Sequence, residues 1–431
     1  MKKFLLFILI NIFLICNANA ITLIEALREA YNNNPKLNAE RENLKISKEN
    51  IIISKSNFLP TITISGYKSS ENTSKLTDRG GVDTSKEDVN PLQKSLLVEQ
   101  KLYDQSIKPD LEKNEIGLEI AKLKLKKVEQ EIIYESVEAY TDLVLNNNKL
   151  KINLLNVNLL ERQVETDRAR LEKGEINLTD LAQSEASLAG ANAKLIRVRN
   201  DIVTSKLNYE KTVGKINNSE DVINSYEFKY KLPKNLKEAN IISKQFNPDL
   251  NIAKLDLEQA IKDVAIAKSD LSPSATLSFQ ATQTDDVSST YKESDKETLK
   301  ATVSWPISLG GKNISSLRKN KSLRNQKILL LEDAKRSNET LVSSTWSNFK
   351  SSKSLLNSVR VQVKAAEIAN EGISIEYESG LGRSTLDVIQ SNSILLDAKT
   401  TLAISERSHF LSQYKLLLSI GQLTALNLRL N

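Results

Sequence analysis

Histidine and cysteine occur once each in these 431 residues, at His409 and Cys16. One imidazole and one thiol are too few for the ligand clusters of zinc or iron–sulfur centres, and no metal or other cofactor is expected. Proline (8) and glycine (13) are scarce, and aromatic side chains make up only 5% of the chain. A sequence so short of turn formers and large core side chains suits long helices better than several compact cores. Nucleophile elbows, paired-histidine metal motifs and dinucleotide fingerprints are missing. Gly310-Gly311-Lys312-Asn313 lacks the spacing and the final Ser or Thr of a phosphate loop, and is expected to be a tight strand-to-helix turn. An enzymatic role therefore has no residues to rest on. Beyond residue 20 no apolar run reaches the ~18 residues of a membrane-spanning helix, so strands would have to make any crossing.

What is present begins with a secretory signal. Lys2 and Lys3 precede an apolar run from Phe4 to Ile15, broken only by Asn11, and Ala18-Asn19-Ala20 is a cleavage signal. Residues 1–20 are read as a signal peptide, with the mature chain starting at Ile21. Cys16 is alternatively a lipidated cysteine, although Ile15 is large where a lipoprotein signal has a small residue. Cleavage after Ala20 removes the cysteine, and with it any disulfide or thiolate chemistry. The net charge is +6, of which Lys2 and Lys3 supply two. The 60 basic and 54 acidic residues are intermixed, as on solvated helix faces, so no nucleic-acid partner is expected.

The mature sequence repeats itself. Asn34-Pro35-Lys36-Leu37 recurs as Asn247-Pro248-Asp249-Leu250, and a second proline follows 25 residues later in each copy, Pro60 and Pro273. Both copies then alternate with the period of a strand that has one apolar face: Ile62 and Ile64 in the first, Ala275, Leu277, Phe279 and Ala281 in the second. A second such segment follows in each, through Leu96, Val98 and Leu102, and through Leu299, Ala301, Val303, Trp305 and Ile307. Each half thus offers one hairpin, with polar loops expected over Lys68–Lys94 and Gln283–Glu297. Repeat one spans about residues 21–216, a linker about 217–235, and repeat two about 236–431.

After each hairpin comes a proline-poor stretch with one interior glycine, Gly117 or Gly372. Continuous helices over about Lys108–Lys173 and Lys312–Ser379 are expected, each roughly 100 Å long. Both end at a glycine turn, Gly174 or Gly380, and restart near Asp180 or Asp387, either of which can serve as a helix cap. From each aspartate the returning helix runs 34 residues to Gly214 or Gly421. Its missing length is assigned to shorter helices before the hairpins, about Lys36–Asn57 and Asp249–Ser269. Seven-residue spacing of Leu118, Leu125, Ile132 and Ala139, then Leu143, Leu150, Val157, Val164 and Leu171, predicts side-by-side packing with a stutter between. Val342, Phe349, Leu356 and Val363 repeat it. A soluble antiparallel coiled coil would share this pattern.

Segments of eight to ten alternating residues suit tilted strands crossing an outer membrane. Four strands cannot close a barrel, and an open edge in lipid leaves backbone groups unpaired at several kcal/mol each, so closure needs more than one copy. Two copies give eight strands and a filled interior; three give twelve and a lumen.

The chain resembles the TolC family of outer-membrane efflux and secretion channels over essentially all of its mature length. The resemblance is carried by Asn34-Pro35 through Pro60, Asn247-Pro248 through Pro273, Trp305-Pro306-Ile307-Ser308-Leu309-Gly310-Gly311, and the two turns from glycine to aspartate. It implies a mainly α fold with β. Specifically, it implies a homotrimer in which antiparallel coiled-coil helices form a barrel through the periplasm, below a transmembrane β-barrel to which each protomer gives four strands. It further implies a Gram-negative outer membrane location and the work of an exit duct in tripartite efflux or type I secretion. The expected partners are outer-membrane lipid, a periplasmic adaptor (membrane fusion) protein and an inner-membrane pump. A non-channel periplasmic coiled coil or adaptor is the competing function.

In that family the periplasmic tip is closed by bonds around the two turns. The resemblance places Tyr377 before Gly380, Arg383 in the following turn, and Asp180 as the acidic partner in the other turn. Asp387 matches the first aspartate of a narrow acidic ring, whereas the second falls on Gln390. The turn from Gly380 to Asp387 is one residue longer than that from Gly174 to Asp180. Asp180 and Asp387 read equally as helix caps.

Overall fold

The computed structural model describes residues 21–74, 76–77, 79–84, 87–216, 222, 226–288, 291–307, 309–379 and 382–430. The expected signal peptide with Cys16, Ser308, Gly380 and most of 217–225 lie outside them. The chain divides into two units. One comprises residues up to Arg41 with Lys124–Asn251 and Lys335–Asn431; the other comprises Glu42–Leu123 with Ile252–Ala334.

Helices dominate. In chain order they are α1 (Leu23–Asn33), α2 (Pro35–Ser56), α3 (Ile107–Glu172), α4 (Leu178–Thr212), α5 (Leu236–Phe246), α6 (Pro248–Ser269), α7 (Lys312–Glu378), α8 (Thr385–Ser419) and the short α9 (Ala425–Leu428). The two long helices match their expected bounds to within a residue, and so do α2 and α6. Pro109 is tolerated in α3 because it falls in the first turn, where no intrahelical donor is needed. Among the described residues, no helix is long and apolar enough to cross a membrane.

The Asn-Pro pairs have a mechanical explanation. Asn34 ends α1 and starts α2: its side-chain oxygen accepts from Lys36 N at 3.0 Å, while its amide donates to Thr212 O at the end of α4, also at 3.0 Å. Asn247 accepts from Leu250 N (3.1 Å) and donates to Ser419 O (3.0 Å). One buried amide thus caps the next helix and satisfies a terminal carbonyl of the returning one. The following proline sits at the first helical position, where its fixed φ is already helical. Gly421 is required close by. Its φ is +73°, and a β-carbon there would lie 2.2 Å from Phe246 O.

The first unit buries its largest apolar cluster between these junctions. Leu27, Ile133, Val137, Val342, Phe410, Tyr414, Leu416 and Ile420 pack together. A second cluster joins Ala30, Leu37, Ile132, Tyr140, Leu143 and Tyr209. Further along the hairpins the packing thins to Val157, Leu160, Ala191 and Leu195 in one, and Val363, Ala366 and Ala398 in the other. All the heptad positions are buried or half-buried. The amphipathic helices α1 and α5, eleven residues each, had no place in the expected organisation.

The second unit carries a four-stranded antiparallel sheet in the order β1 (Thr61–Lys68), β6 (Leu92–Tyr103), β7 (Ser274–Asp285), β8 (Glu293–Ser304). Ile62, Val98, Phe279 and Leu299 stand in register across it, and so do Thr63, Leu97, Gln280 and Thr298 one step along. One face is apolar and the other mainly polar, as alternation requires. α2, α3, α6 and α7 all join the sheet at one end. The expected polar loops are partly strand. Two small ladders, β2 (Glu71–Thr73) with β5 (Glu87–Val89) and β3 (Leu76–Thr77) with β4 (Asp83–Thr84), occupy the first, and β7 and β8 run deep into the second. Thr282, Thr284 and Ser294 pair without apolar content, because threonine suits a pleated strand whatever its neighbours bury. Beyond β8 the expected Gly-Gly turn is present, with φ of +59° at Gly310 and +80° at Gly311.

Candidate functional site

The two turns at the far ends of the long helices lie in the first unit. α3 ends at Gly174, whose φ of +75° lets Glu175 N bond back to Arg170 O at 2.9 Å. α4 then starts from Asn177, whose side chain accepts from Asp180 N at 3.0 Å while the Asp180 carboxylate faces Asn177 N. At the other turn Ser384 starts α8. Asp387 N donates to Ser384 Oγ (3.2 Å), and the Asp387 carboxylate accepts from Ser384 N and Oγ, both at 2.9 Å. The expected cap positions shift accordingly. Asp180 and Asp387 are third-position partners in capping boxes, and Asn177 and Ser384 are the caps, because a short oxygen at the non-helical residue best reaches the amides ahead of it. Those bonds hold the Asp387 carboxyl below its ordinary range.

Tyr377 lies one turn before Gly380 and is buried. Its hydroxyl donates to Asp167 Oδ1 at 2.9 Å and lies 3.1 Å from Thr385 Oγ1. Asp167 is itself wholly buried, at 0% exposure. Gln163 donates to the same oxygen at 2.9 Å, and the Ser184 hydroxyl donates to the other. The Arg170 guanidinium covers the Tyr377 ring 4.7 Å from its centroid and pairs with Glu175 at 3.1 Å. One carboxylate therefore ties α3 and α4 to α7 and α8, and each of its oxygens is used, as a buried anion demands.

Arg383 stands apart from this cluster. Its Nε donates to Glu376 Oε2 at 2.6 Å, with both side chains more than two-fifths exposed. Of the residues singled out from sequence, Tyr377, Arg383 and Asp387 make no contact with Asp180 across the turns. Arg383 and Asp387 share one turn, and Tyr377 engages Asp167, which sequence reasoning overlooked. A signal for it existed. Leu160, Val164, Asp167 and Leu171 continue the packed stripe, so a carboxylate occupies a position otherwise apolar. Gln390 is exposed one turn beyond Asp387. His409 stacks on Phe349 (centroids 5.7 Å apart) and meets Ser352 Oγ at 3.2 Å, a packing role within α8.

These turns, long helices and sheet invite comparison with known proteins. The family model described as outer membrane efflux protein matches residues 26–215 and 243–422. The chain belongs to the outer membrane efflux protein family. It is similar to the outer membrane efflux protein BepC of Brucella suis biovar 1 (strain 1330), with 28% identity over 94% of this chain and 86% of that one. The outer membrane protein TolC of Escherichia coli (strain K12) is 23% identical over 94% and 83% of the two chains. Two solved structures share the fold. The CmeC outer membrane channel of Campylobacter jejuni has a TM-score of 0.79 at 14% identity, covering 93% of this chain and 85% of that one. The outer membrane protein VceC of Vibrio cholerae has a TM-score of 0.78 at 16%, covering 93% and 96%. As a member of the efflux protein family, the chain is an outer-membrane exit duct reaching into the periplasm. Channels of this family work with adaptor and inner-membrane pump partners, and the chain is not an enzyme.

Proposed function

We propose that three copies of this chain close a twelve-stranded barrel in the outer membrane, four strands from each, and that the contacts around Asp167 hold the periplasmic end of the duct shut. The observation that carries the reading is the sheet. It has four antiparallel strands, one apolar face, and two edges, β1 and β8, that pair with no other described strand. Lipid cannot satisfy those edges, and twelve strands leave a lumen where eight would be filled by side chains. The two matched halves, each with an Asn-Pro junction, a hairpin and a long helix, support an internally repeated protomer of residues 21–216 and 236–431 about a linker.

Around the two turns, Tyr377 and Asp167 join the two helical hairpins of one protomer. Releasing that bond would let the α7–α8 pair move independently of α3–α4. Asp387 supplies one carboxylate per protomer to a constriction, with Asp180 and Arg383 on the flanking turns. Gln390 leaves that constriction with a single acidic ring. The test is to fractionate cells and run the purified protein unheated and heated on a denaturing gel. A heat-sensitive trimer band from the outer membrane is expected, with conductance in planar bilayers. A soluble monomer without conductance overturns the reading.

A further inference from the structure

At the end of the sheet where the helices join, the apolar face finishes in exposed aromatic and aliphatic side chains. Phe58, Tyr103, Trp305 and Ile307 are 48, 46, 63 and 88% exposed. Trp305 is anchored by its indole N–H to Leu271 O at 3.2 Å, and Asn313 at the start of α7 reaches Asp270 O at 2.7 Å. Aromatic side chains at such a boundary mark the level of lipid headgroups.

Just past this boundary the two halves of the chain differ in charge. Over residues 107–123, α3 carries Lys108, Lys113 and Lys122 against Asp110, Glu112, Glu115 and Glu119. It is tied to α6 by Lys113–Asp263 and Lys262–Glu112, each at 2.7 Å. Over residues 312–334, α7 carries six cations against Glu332 and Asp333. Only Lys327 among those six has an ion pair with a described residue, with Asp256 at 2.7 Å. Lys312, Arg318, Lys319 and Lys321 are exposed. Asp104, at the same end of the sheet, is already engaged by Lys101 at 3.5 Å.

The direction of α7 matters. Its N-terminus adjoins the sheet, and side chains on a helix lean toward the N-terminus, so these cations lean toward the membrane boundary. Arg318 and Lys319 start about 10 Å along the axis from Lys312, and long basic side chains reach back toward an interface. The headgroup layer is about 5–8 Å deep on each side of the hydrocarbon.

We propose that the first three turns of α7, through Lys312, Arg318, Lys319 and Lys321, bind the phosphate headgroups of anionic phospholipids in the periplasmic leaflet of the outer membrane. The inference rests on the sheet lying in that membrane with its helix-bearing end toward the periplasm. Charge complementarity and continuity with the apolar face commit the surface to a lipid. Four cations without an ion pair among the described residues, on side chains long enough to reach back to the headgroup layer, are the composition that recruits acidic lipid. Lipid would then be held by α7 and not by α3, whose charges at the equivalent level are paired with α6.

Trp305 allows a direct test, since Trp346 is the only other tryptophan. In a Trp346→Phe background, the assembled protein is placed in vesicles containing phosphatidylglycerol or phosphatidylcholine with brominated acyl chains, at equal mole fraction. Brominated phosphatidylglycerol should quench Trp305 more, corresponding to a preference of about threefold or greater at low salt. The preference should fall to about one in Lys312→Gln/Arg318→Gln/Lys319→Gln. It should fall likewise for the protein with its α7 cations intact in about 1 M salt, where the screening length is about 3 Å. Equal quenching by the two lipids, or a preference unchanged by both substitution and salt, overturns the proposal. If neither lipid quenches Trp305, the sheet is not in the bilayer and the underlying membrane reading falls with it. Should the triple variant fail to assemble, the salt titration alone decides.

Discussion

Replacing Tyr377 by Phe removes one hydroxyl, with its bond to Asp167 and its contact with Thr385, and leaves the ring under Arg170, so it separates these polar contacts from the packing around them. A hydrogen bond to an ionised group contributes about 1.5–3 kcal/mol, and 1.4 kcal/mol is a factor of ten in an equilibrium. Asp167 is wholly buried, so solvent does not replace the lost donor; Ser184 and Gln163 remain. The closed arrangement should therefore lose about tenfold to a hundredfold in population per protomer. Single-channel recording in planar bilayers reads this as longer open times and higher mean conductance than wild type. Asp167→Asn should act the same way, and the double variant should add less than the sum, because the two residues share one bond. The thermal midpoint of the assembled protein separates gating from unfolding, and it should move little. Tyr377→Phe with wild-type conductance and open times would refute the assignment of this contact as the closing one.

Five other outcomes follow from the geometry. Asn247→Ala removes both the cap of α6 and the donor to Ser419 O, and should lower stability by about 2–4 kcal/mol in thermal or denaturant unfolding, with Asn34→Ala close behind. Gly421→Ala should lower the thermal midpoint far more than Gly214→Ala, because its new methyl meets the Phe246 backbone at 2.2 Å, whereas at Gly214 the nearest atom is Glu29 Cγ at 3.5 Å. Burial lifts the Glu129 carboxyl above its ordinary 4.5, against the Ala425 N–H that it accepts. Ionising it therefore opposes folding: wild type loses stability as pH rises from the unfolded value to the raised one, and Glu129→Gln should abolish that component of the pH profile. Asp387→Ala should weaken block by divalent cations applied from the periplasmic side. In wild type the block should persist below the ordinary carboxylate range and fade only as pH falls through the depressed value, while Arg383→Ser, which breaks an exposed pair with Glu376, should raise conductance modestly.

Helix positions were legible because punctuation is sparse. With so few prolines and glycines, Pro35, Gly174, Pro248 and Gly421 each mark an end, and the heptads between them identify what is buried. The Asn-Pro pairs were visible as a repeat, but their purpose was not, since Thr212 and Ser419 lie far away in sequence and only folding brings their carbonyls to the amides. α1 and α5 escaped because eleven-residue helices give barely three turns of periodicity. The caps were misplaced by three residues because Asn177-x-x-Asp180 and Ser384-x-x-Asp387 offer oxygen chemistry at both ends of the box. Asp167 was hidden by its setting: a carboxylate in a charged helix looks solvated until the facing Tyr377 and Ser184 are known.

In the proposed trimer, the edges of β1 and β8, which pair with no other described strand, have a genetic consequence. A chain with one damaged edge still offers the other, and so can join two sound neighbours and leave a single unsealed seam in their barrel. When damaged and intact copies are made in equal number, three-membered rings drawn at random are mostly contaminated. Edge-strand lesions should therefore behave as dominant inhibitors of export, whereas lesions that unfold the helices before assembly should be recessive.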